Sequence, residues 1–294
     1  MDIANLQTFV TVAETGSFSH ASEQLFLTQP AISKRVATLE DELGTALFDR
    51  IGRTVSLTEA GRALLPRARS ILLEVEDSRR AISNLSGQVS GKLSIGTSHH
   101  IGLHRLPPVL RLFNKTYPDV ELDIHFMDSE EACRAVEHGD LELGIVTLPL
   151  YPSNLLHTKE IWPDPLSIVV GNSHPLAKQN QVSLETLSDH TAILPSTGTY
   201  TREVLERAIE HSNKQLKVGL ATNYLETIKM MVSVGLGWSV LPDTMISREI
   251  KKVVVKDVHL HRTLGIVWHA GRTLSNAAVA LVDITTQDSD ISNS

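Results

Sequence analysis

The sequence predicts a multidomain chain of α and α/β class: a small helical head, one long helix, and an α/β portion divided into two lobes. Three observations carry this reading. Short helical patterns with capping residues and glycine stops run from Ile3 to Gly44, apolar positions from Leu64 to Leu85 recur in steps of four and three, and strand and helix patterns alternate beyond Lys92. At roughly 100–200 residues per domain, 294 residues hold two or three domains with buried cores.

In the head, Ile3, Leu6, Phe9, Val10 and Ala13 recur at helical spacing until Gly16-Ser17 stops the helix. Ser19 is expected to cap a second helix, with Ala21, Leu25 and Phe26 on its apolar side. Thr28 is expected to cap a third, because Pro30 falls in the first turn, where its missing N–H costs nothing. That third helix carries Ile32, Val36, Leu39 and Leu43 on one face and closes at Gly44. Residues 47–50 and 54–57 flank Ile51-Gly52-Arg53 as a β-hairpin.

From Thr58 to Leu85 the apolar seam is Leu64, Ala68, Ile71, Val75, Ser78, Ile82 and Leu85. Its 3.5-residue repeat is that of a coiled coil, which calls for a partner helix, and Pro66 is expected to kink it. The small residues of 86–91 mark a domain boundary.

Beyond that boundary, strands are expected over 93–96, 120–126, 143–146, 166–171, 191–194, 217–220, 239–241 and 264–268. Helices are expected over 106–117, 129–138, 201–211, 224–234 and 276–285. This order implies a mostly parallel sheet in two lobes, joined at 147–152 and again near 262–268, with a cleft between them. The resulting division is 1–58 for the head, 59–86 for the long helix, 92–147 with 268–286 for one lobe, 150–265 for the other, and a polar, disordered tail over 287–294.

Composition narrows the function classes. One cysteine rules out an internal disulfide, and neither a signal segment nor an apolar run of membrane-spanning length is recognisable, so a cytoplasmic location and no membrane partner are expected. The net charge of −7 by itself points away from nucleic acid. The charges are unevenly placed, however. Residues 1–60 hold four cations against eight carboxylates, yet those cations, Lys34, Arg35, Arg50 and Arg53, all fall in the third helix and the hairpin.

The segments 16–25, 28–34 (Thr-Gln-Pro-Ala-Ile-Ser-Lys), 39–44, Leu47-Phe-Asp-Arg50 and Leu57-Thr-Glu-Ala-Gly61 resemble the signature of the LysR-type transcriptional regulators. The resemblance is strong through about residue 65 and is one of element order afterwards. It implies a winged helix-turn-helix head, a dimerising linker helix, and an effector domain similar to the type II periplasmic binding proteins. It also implies double-stranded DNA with a dyad-symmetric site as partner, a small-molecule effector, and a dimer that pairs into a tetramer. A helix-turn-helix sets its second helix in the major groove with N-terminal residues at base edges. That places Gln29 to bond adenine bidentately and Ser33, Lys34 and Arg35 to reach bases or phosphates, with Ser17, Phe18, Thr28 and Pro30 beside them and Arg50 and Arg53 on the wing.

Effectors of the resembling family sit between the lobes, which carries the expectation to Thr97, Ser98, His99 and His100 after the first strand, Thr147 and Pro149 at the crossover, and Ser196, Thr197, Thr199 and Asn223 near helix starts. Hydroxyls and backbone N–H groups at helix N-termini suit an anion, so a carboxylate or oxyanion is expected. His99-His100, in an extended loop, can serve an anion, a proton switch or a metal. His259-x-His261 lacks partner ligands, so no metal site and no cofactor are assigned. Cys133 reads as a small packing residue rather than a redox sensor. No GxGxxG, GxxxxGK[ST], GxSxG or HExxH motif is present, and the chain is not expected to be an enzyme. The competing reading makes the α/β portion a solute-binding module or enzyme, with the head serving only dimerisation.

Overall fold

The computed structural model describes residues 1–51, 54–179, 181–212 and 215–292. The chain forms two units, Met1–Ser86 and Gly87–Ser294.

In the first unit, α1 (Ile3–Thr15), α2 (Phe18–Gln24) and α3 (Gln29–Leu43) pack around Leu6, Phe9, Val12, Ile32, Val36 and Leu39. Asp2 caps α1 by accepting from the Ala4 N–H at 2.7 Å. Gly16 and Gly44 end α1 and α3 in the left-handed region, at φ of 62° and 67°, which only glycine adopts without strain. The second helix starts earlier than expected. Its cap is Ser17, whose hydroxyl accepts from the His20 N–H at 3.3 Å, so Ser19 lies inside the helix. The cause is Phe18, buried with its ring 5.7 Å from that of Phe48, which draws the turn inward. Strands β1 (Phe48–Ile51) and β2 (Thr54–Leu57) pair antiparallel from Phe48↔Leu57 to Ile51↔Thr54.

Helix α4 (Glu59–Asn84) opens at Thr58, whose hydroxyl accepts from the Gly61 N–H at 3.0 Å, and continues through Pro66. Its seam divides into two halves. Leu64, Ala68 and Ile71 pack on the head's core, whereas Ile82 and Leu85 are 71% and 85% exposed.

The second unit is built on one nine-stranded sheet. Its first lobe holds β3 (Gly91–Thr97), β4 (Val120–Phe126) and β5 (Leu143–Thr147), mutually parallel in the order β4-β3-β5. The second lobe holds β8 (Ala192–Leu194), β9 (Val218–Ala221) and β10 (Trp238–Pro242), with β11 (Ile250–Lys252) as the ninth strand and a separate parallel pair of β7 (Gln181–Val182) and β12 (Val254–Val255). Two long strands run through both lobes: β6 (Leu156–Gly171) and β13 (Leu260–His269), paired antiparallel with a register shift at Leu264/Gly265. Gly265 is required at that shift, because a Cβ there would stand 2.3 Å from the Lys159 carbonyl oxygen. Ile161 and Trp162 of β6 sit in the first lobe's core, while Leu166, Ile168 and Val170 sit in the second's. The first crossing therefore lies within β6, further along the chain than the expected 147–152. β13 pairs with β6 from Leu156 through Pro163 and Pro165 to Leu166, and β10 takes over beside the rest of it.

Around this sheet lie α5 (His99–His104), α6 (Leu106–Thr116), α7 (Ser129–His138), α8 (Leu184–Ser188), α9 (Tyr200–Ile209), α10 (Leu225–Ser233) and α11 (Asn276–Ser292). Two of these depart from expectation. The stretch after β3 is a helix, started by Ser98 whose hydroxyl accepts from the Ile101 N–H at 3.4 Å, and not an extended loop. The polar stretch expected to be a disordered tail continues α11 as far as Ser292; Thr285 and Thr286 bond back to the carbonyls of Leu281 and Val282 at 2.6 and 2.7 Å, so the turn there is self-satisfied. No described helix is long and apolar enough to cross a membrane.

Candidate functional site

The head offers one helix face. Ile32, Val36 and Leu39 of α3 are fully buried, which turns Gln29, Pro30 and Lys34 outward with Thr28, and leaves Ser33 and Arg35 half-buried beside them. Thr28 caps α3 by its backbone only, since its hydroxyl makes no capping bond, and no carboxylate lies in the first turn. This face is therefore a helix N-terminus carrying a primary amide, hydroxyls and two cations, a set that bonds base edges and phosphates. The Phe18 ring is not on this face: it is buried in the core, 5.7 Å from the ring of Phe48. Ser17 spends its hydroxyl on the α2 cap. The Arg50 side chain, Gly52 and Arg53 lie outside the described residues. One residue escaped the sequence reading as an exposed group. Phe26, expected on an apolar face, is 95% exposed with φ at 54°, in the turn between α2 and α3.

Between the lobes of the second unit is a cleft of about 240 Å³. Of the expected residues, Ser98, His99, His100, Thr147, Thr199 and Asn223 line it. Thr97 does not; it is buried and donates to the Ile145 carbonyl at 2.8 Å, because β3 turns its side chain into the sheet. Pro149, Ser196 and Thr197 also lie off the lining. Ser196 participates indirectly, since its N–H donates to Asn223 Oδ1 at 2.9 Å. Helices α7, α9 and α10 all start at the cleft, with Asp128, Thr199 and Tyr224 as their caps.

Acidic side chains face those helix starts across the cleft. Tyr200 N, in the first turn of α9, donates to Glu130 Oε1 of α7, and Asn223 Nδ2 donates to Asp128 Oδ2 at 2.5 Å. Burial holds the Glu130 carboxyl above the usual carboxylate range. Glu131 and Ser129 complete this wall. At the floor, Arg262 of β13 donates from Nε to Asp164 Oδ2 at 2.7 Å and from Nη1 to Thr201 Oγ1 at 2.5 Å. Asp164 is fully buried at the crossing in β6, with Arg105 3.5 Å from its other oxygen, so the three groups tie both lobes to the shared strands. His100 is 4% exposed, and burial reinforced by the Arg262 guanidinium pushes its imidazole down to about 3. The His99 ring stacks on Phe126 at 5.2 Å and meets Tyr224 at 5.0 Å. Cys133 of α7 is buried beside Tyr200, and burial pushes its thiol up to about 11.

The acidic wall and Arg262 do not stand out in the sequence. Asp128-Ser-Glu-Glu131 reads as an ordinary acidic first turn, and Arg262 is one charge in a strand; only the fold brings them to one cavity.

Residues 86–289 match the family model for the LysR substrate binding domain, and residues 3–62 match the one for the bacterial regulatory helix-turn-helix protein of the lysR family. A probable RuBisCO transcriptional regulator of Synechocystis is 31% identical over 288 residues, spanning 94% of this chain and 83% of that protein. An uncharacterized HTH-type transcriptional regulator of Azotobacter vinelandii is 68% identical over 108 residues, which are 37% of this chain and 75% of that protein. Among solved structures, a full-length OxyR variant from Pseudomonas aeruginosa superposes with a TM-score of 0.70 at 25% identity, covering 98% of this chain and 94% of that one. The full-length CbnR complexed with target DNA shares the fold, with a TM-score of 0.62 at 20% identity over 98% of this chain and 100% of that one. The chain belongs to the LysR family: it is a transcriptional regulator with a helix-turn-helix DNA-binding head and an effector-binding domain, and not an enzyme.

Proposed function

We propose that the cleft takes a small organic acid bearing a hydroxyl or amino group, and that this ligand sets how the heads engage DNA. The observation that carries this reading is the Glu130 carboxylate on the Tyr200 N–H. A carboxylate of the chain itself satisfies the N-terminus of α9, so the place where a ligand carboxylate would dock has the required chemistry. The acidic wall of Asp128, Glu130 and Glu131 then asks for a donor on the same ligand, which a bare anion lacks. Ser98, Thr147, Thr199 and Asn223 supply further hydroxyl and amide contacts. The ligand would favour one lobe arrangement over another by the difference in its contacts.

DNA is read, on this proposal, by Gln29 and Ser33 at base edges and by Thr28, Lys34, Arg35, Arg50 and Arg53 at phosphates or the wing, with head limits near 1–58 and the connecting helix over 59–86. The exposed Ile82 and Leu85 support pairing of α4 with a second copy, giving a dimer and, by pairing of dimers, a tetramer on a dyad-symmetric site in the cytoplasm.

A thermal-shift screen tests the cleft. Small hydroxy- or amino-acids are expected to raise Tm, by the equivalent of about 2.7 kcal/mol at 100 times Kd, and their amides are not. A ligand set of neutral or purely cationic compounds, with the acids inactive, overturns it.

A further inference from the structure

His100 and His104 stand four residues apart on α5, one helical turn, so both rings fall on one side of the helix. Their ring centroids are 4.9 Å apart. Opposite them, from α10 in the other lobe, comes Glu226. Its Oε1 is 2.9 Å from His104 Nε2 and 3.8 Å from His100 Nδ1. Among the described residues this is the one set of three possible metal ligands whose donor atoms lie mutually within 4.8 Å. The residues are not those of the acidic wall: Glu226 and His104 lie outside the cleft lining, and only His100 is shared.

The second observation is the state of His100. Both of its ring nitrogens are buried with no hydrogen-bond partner. A neutral imidazole holds one N–H and one lone pair, and leaving either unmatched away from water is costly. The Arg262 and Arg105 guanidinium groups near the ring are paired with Asp164, and Glu226 supplies the negative charge nearest the histidines.

We infer that His100, His104 and Glu226 form a binding site for a divalent first-row transition ion, clasped between α5 of one lobe and α10 of the other. Two imidazoles and one carboxylate form a donor set that such ions favour over Ca²⁺ or Mg²⁺, which take oxygen. The spacing fits. Ligand atoms about 2.1 Å from a tetrahedral Zn²⁺ stand roughly 3.4 Å from one another, between the 2.9 and 3.8 Å observed here. The partly exposed His104 and Glu226 give the ion an entry path, and three protein donors leave a coordination position for water or a ligand group. Since the donors come from both lobes, ion binding favours the lobe arrangement that brings them together. The site does not depend on what the cleft itself binds.

The test uses the full chain, stripped of metal with a chelator and titrated with Zn²⁺ by calorimetry and with Co²⁺ by visible absorption. One site of micromolar or tighter affinity is expected, with Co²⁺ bands of low-coordinate N/O ligation. His104→Ala and Glu226→Gln are each expected to weaken that site by about 100-fold or more, at or beyond the upper end of what losing an outer-shell partner costs. Glu226→Gln is decisive, because the amide can still hydrogen-bond His104; a merely structural contact survives that change and a metal ligand does not. No Zn²⁺ binding by the stripped protein, or binding that both variants leave unchanged, overturns the inference. In the latter case the ions sit at other histidines, such as His259 and His261.

Discussion

On the head, Gln29, Ser33 and Lys34 stand within two turns of one helix, whereas the cleft draws its lining from separate stretches scattered between Ser98 and Arg262. Gln29 and Lys34 are exposed and Ser33 is half-buried, and all three rest on a core they do not enter. The cleft residues range from exposed to buried, and several are bonded to one another or to residues just behind them: Asp128 to Asn223, Glu130 to Tyr200, Arg262 to Asp164. A substitution on the head face should therefore change recognition and spare stability, while one in the cleft should change both.

The largest effect on the cleft side is expected at Arg262. Replacing it with methionine leaves Asp164 buried and fully inside the protein without its 2.7 Å partner, a loss of about 3–5 kcal/mol for a severed buried pair. All three tryptophans, at 162, 238 and 268, fall in the second unit. Urea unfolding followed by tryptophan fluorescence should thus move to much lower denaturant. DNA binding measured below that transition should persist; its loss would mean that the head's state depends on the crossing strands.

Next in size is the chemistry of Cys133. With its thiol pushed up to about 11 by burial, the thiolate fraction below that pH falls tenfold for each pH unit, and at pH 8 it is about 100-fold or more below that of a free cysteine. Alkylation of the native chain should be slow and rise with pH, and it should become fast in denaturant. Fast alkylation of the folded chain at neutral pH would show the lobes opening around α7 and Tyr200 far more often than their contacts imply.

Gln29→Ala carries the opposite expectation. It should cost about 1–3 kcal/mol of discrimination at one base position, leave non-specific binding nearly unchanged, and leave both unfolding transitions where they are. Competition binding against single-base variants of a target site reads this directly. Uniform weakening on every sequence would move Gln29 from base reading to backbone positioning.

The same contrast explains what could be read before folding. The head's pattern is local: caps, glycine stops and the apolar face of Ile32, Val36 and Leu39 lie side by side in sequence. Two departures stand out: Ser19 for Ser17, where Phe18 is drawn to Phe48, and Phe26, exposed instead of packed. In the second unit, element order was legible for the same reason, and strand pairing was not. That β6 runs on from Leu156 to Gly171 depends on β13 beside its first part, more than ninety residues later, and on β10 beside its last. Thr97, expected in the loop after the first strand, and Thr147, expected at the crossover, are both cleft candidates in the sequence, yet only Thr147 lines the cleft, because β3 extends to Thr97 and its hydroxyl donates to the Ile145 carbonyl. The pair His100 and His104 carried a signal that a helical reading of 98–104 would have exposed: a four-residue spacing. The adjacent pair His99-His100 is the more conspicuous one along the chain, and it hides that spacing.

The smallest expected effect returns to the head, at Phe26. A phenylalanine at φ of 54° costs roughly 1–2 kcal/mol in backbone strain, and at 95% exposure its ring gains no burial in return. The turn itself is held by backbone bonds, Phe26 N–H to Glu23 O at 3.2 Å and Leu27 N–H to Ser22 O at 2.9 Å, which do not need the side chain. Phe26→Gly relieves the strain but adds freedom to the unfolded chain, and Phe26→Asn relieves part of it at less entropic cost, so each should stabilise the head by about 0.5–1 kcal/mol. The gain should appear in the far-UV circular dichroism transition and not in tryptophan fluorescence, since no tryptophan lies in the first unit. Operator affinity measured on the same variants then decides why a strained, exposed ring sits two residues before Thr28. Affinity that holds or rises makes Phe26 a turn residue only. A fall in affinity alongside the gain in stability makes the ring part of the DNA-reading face.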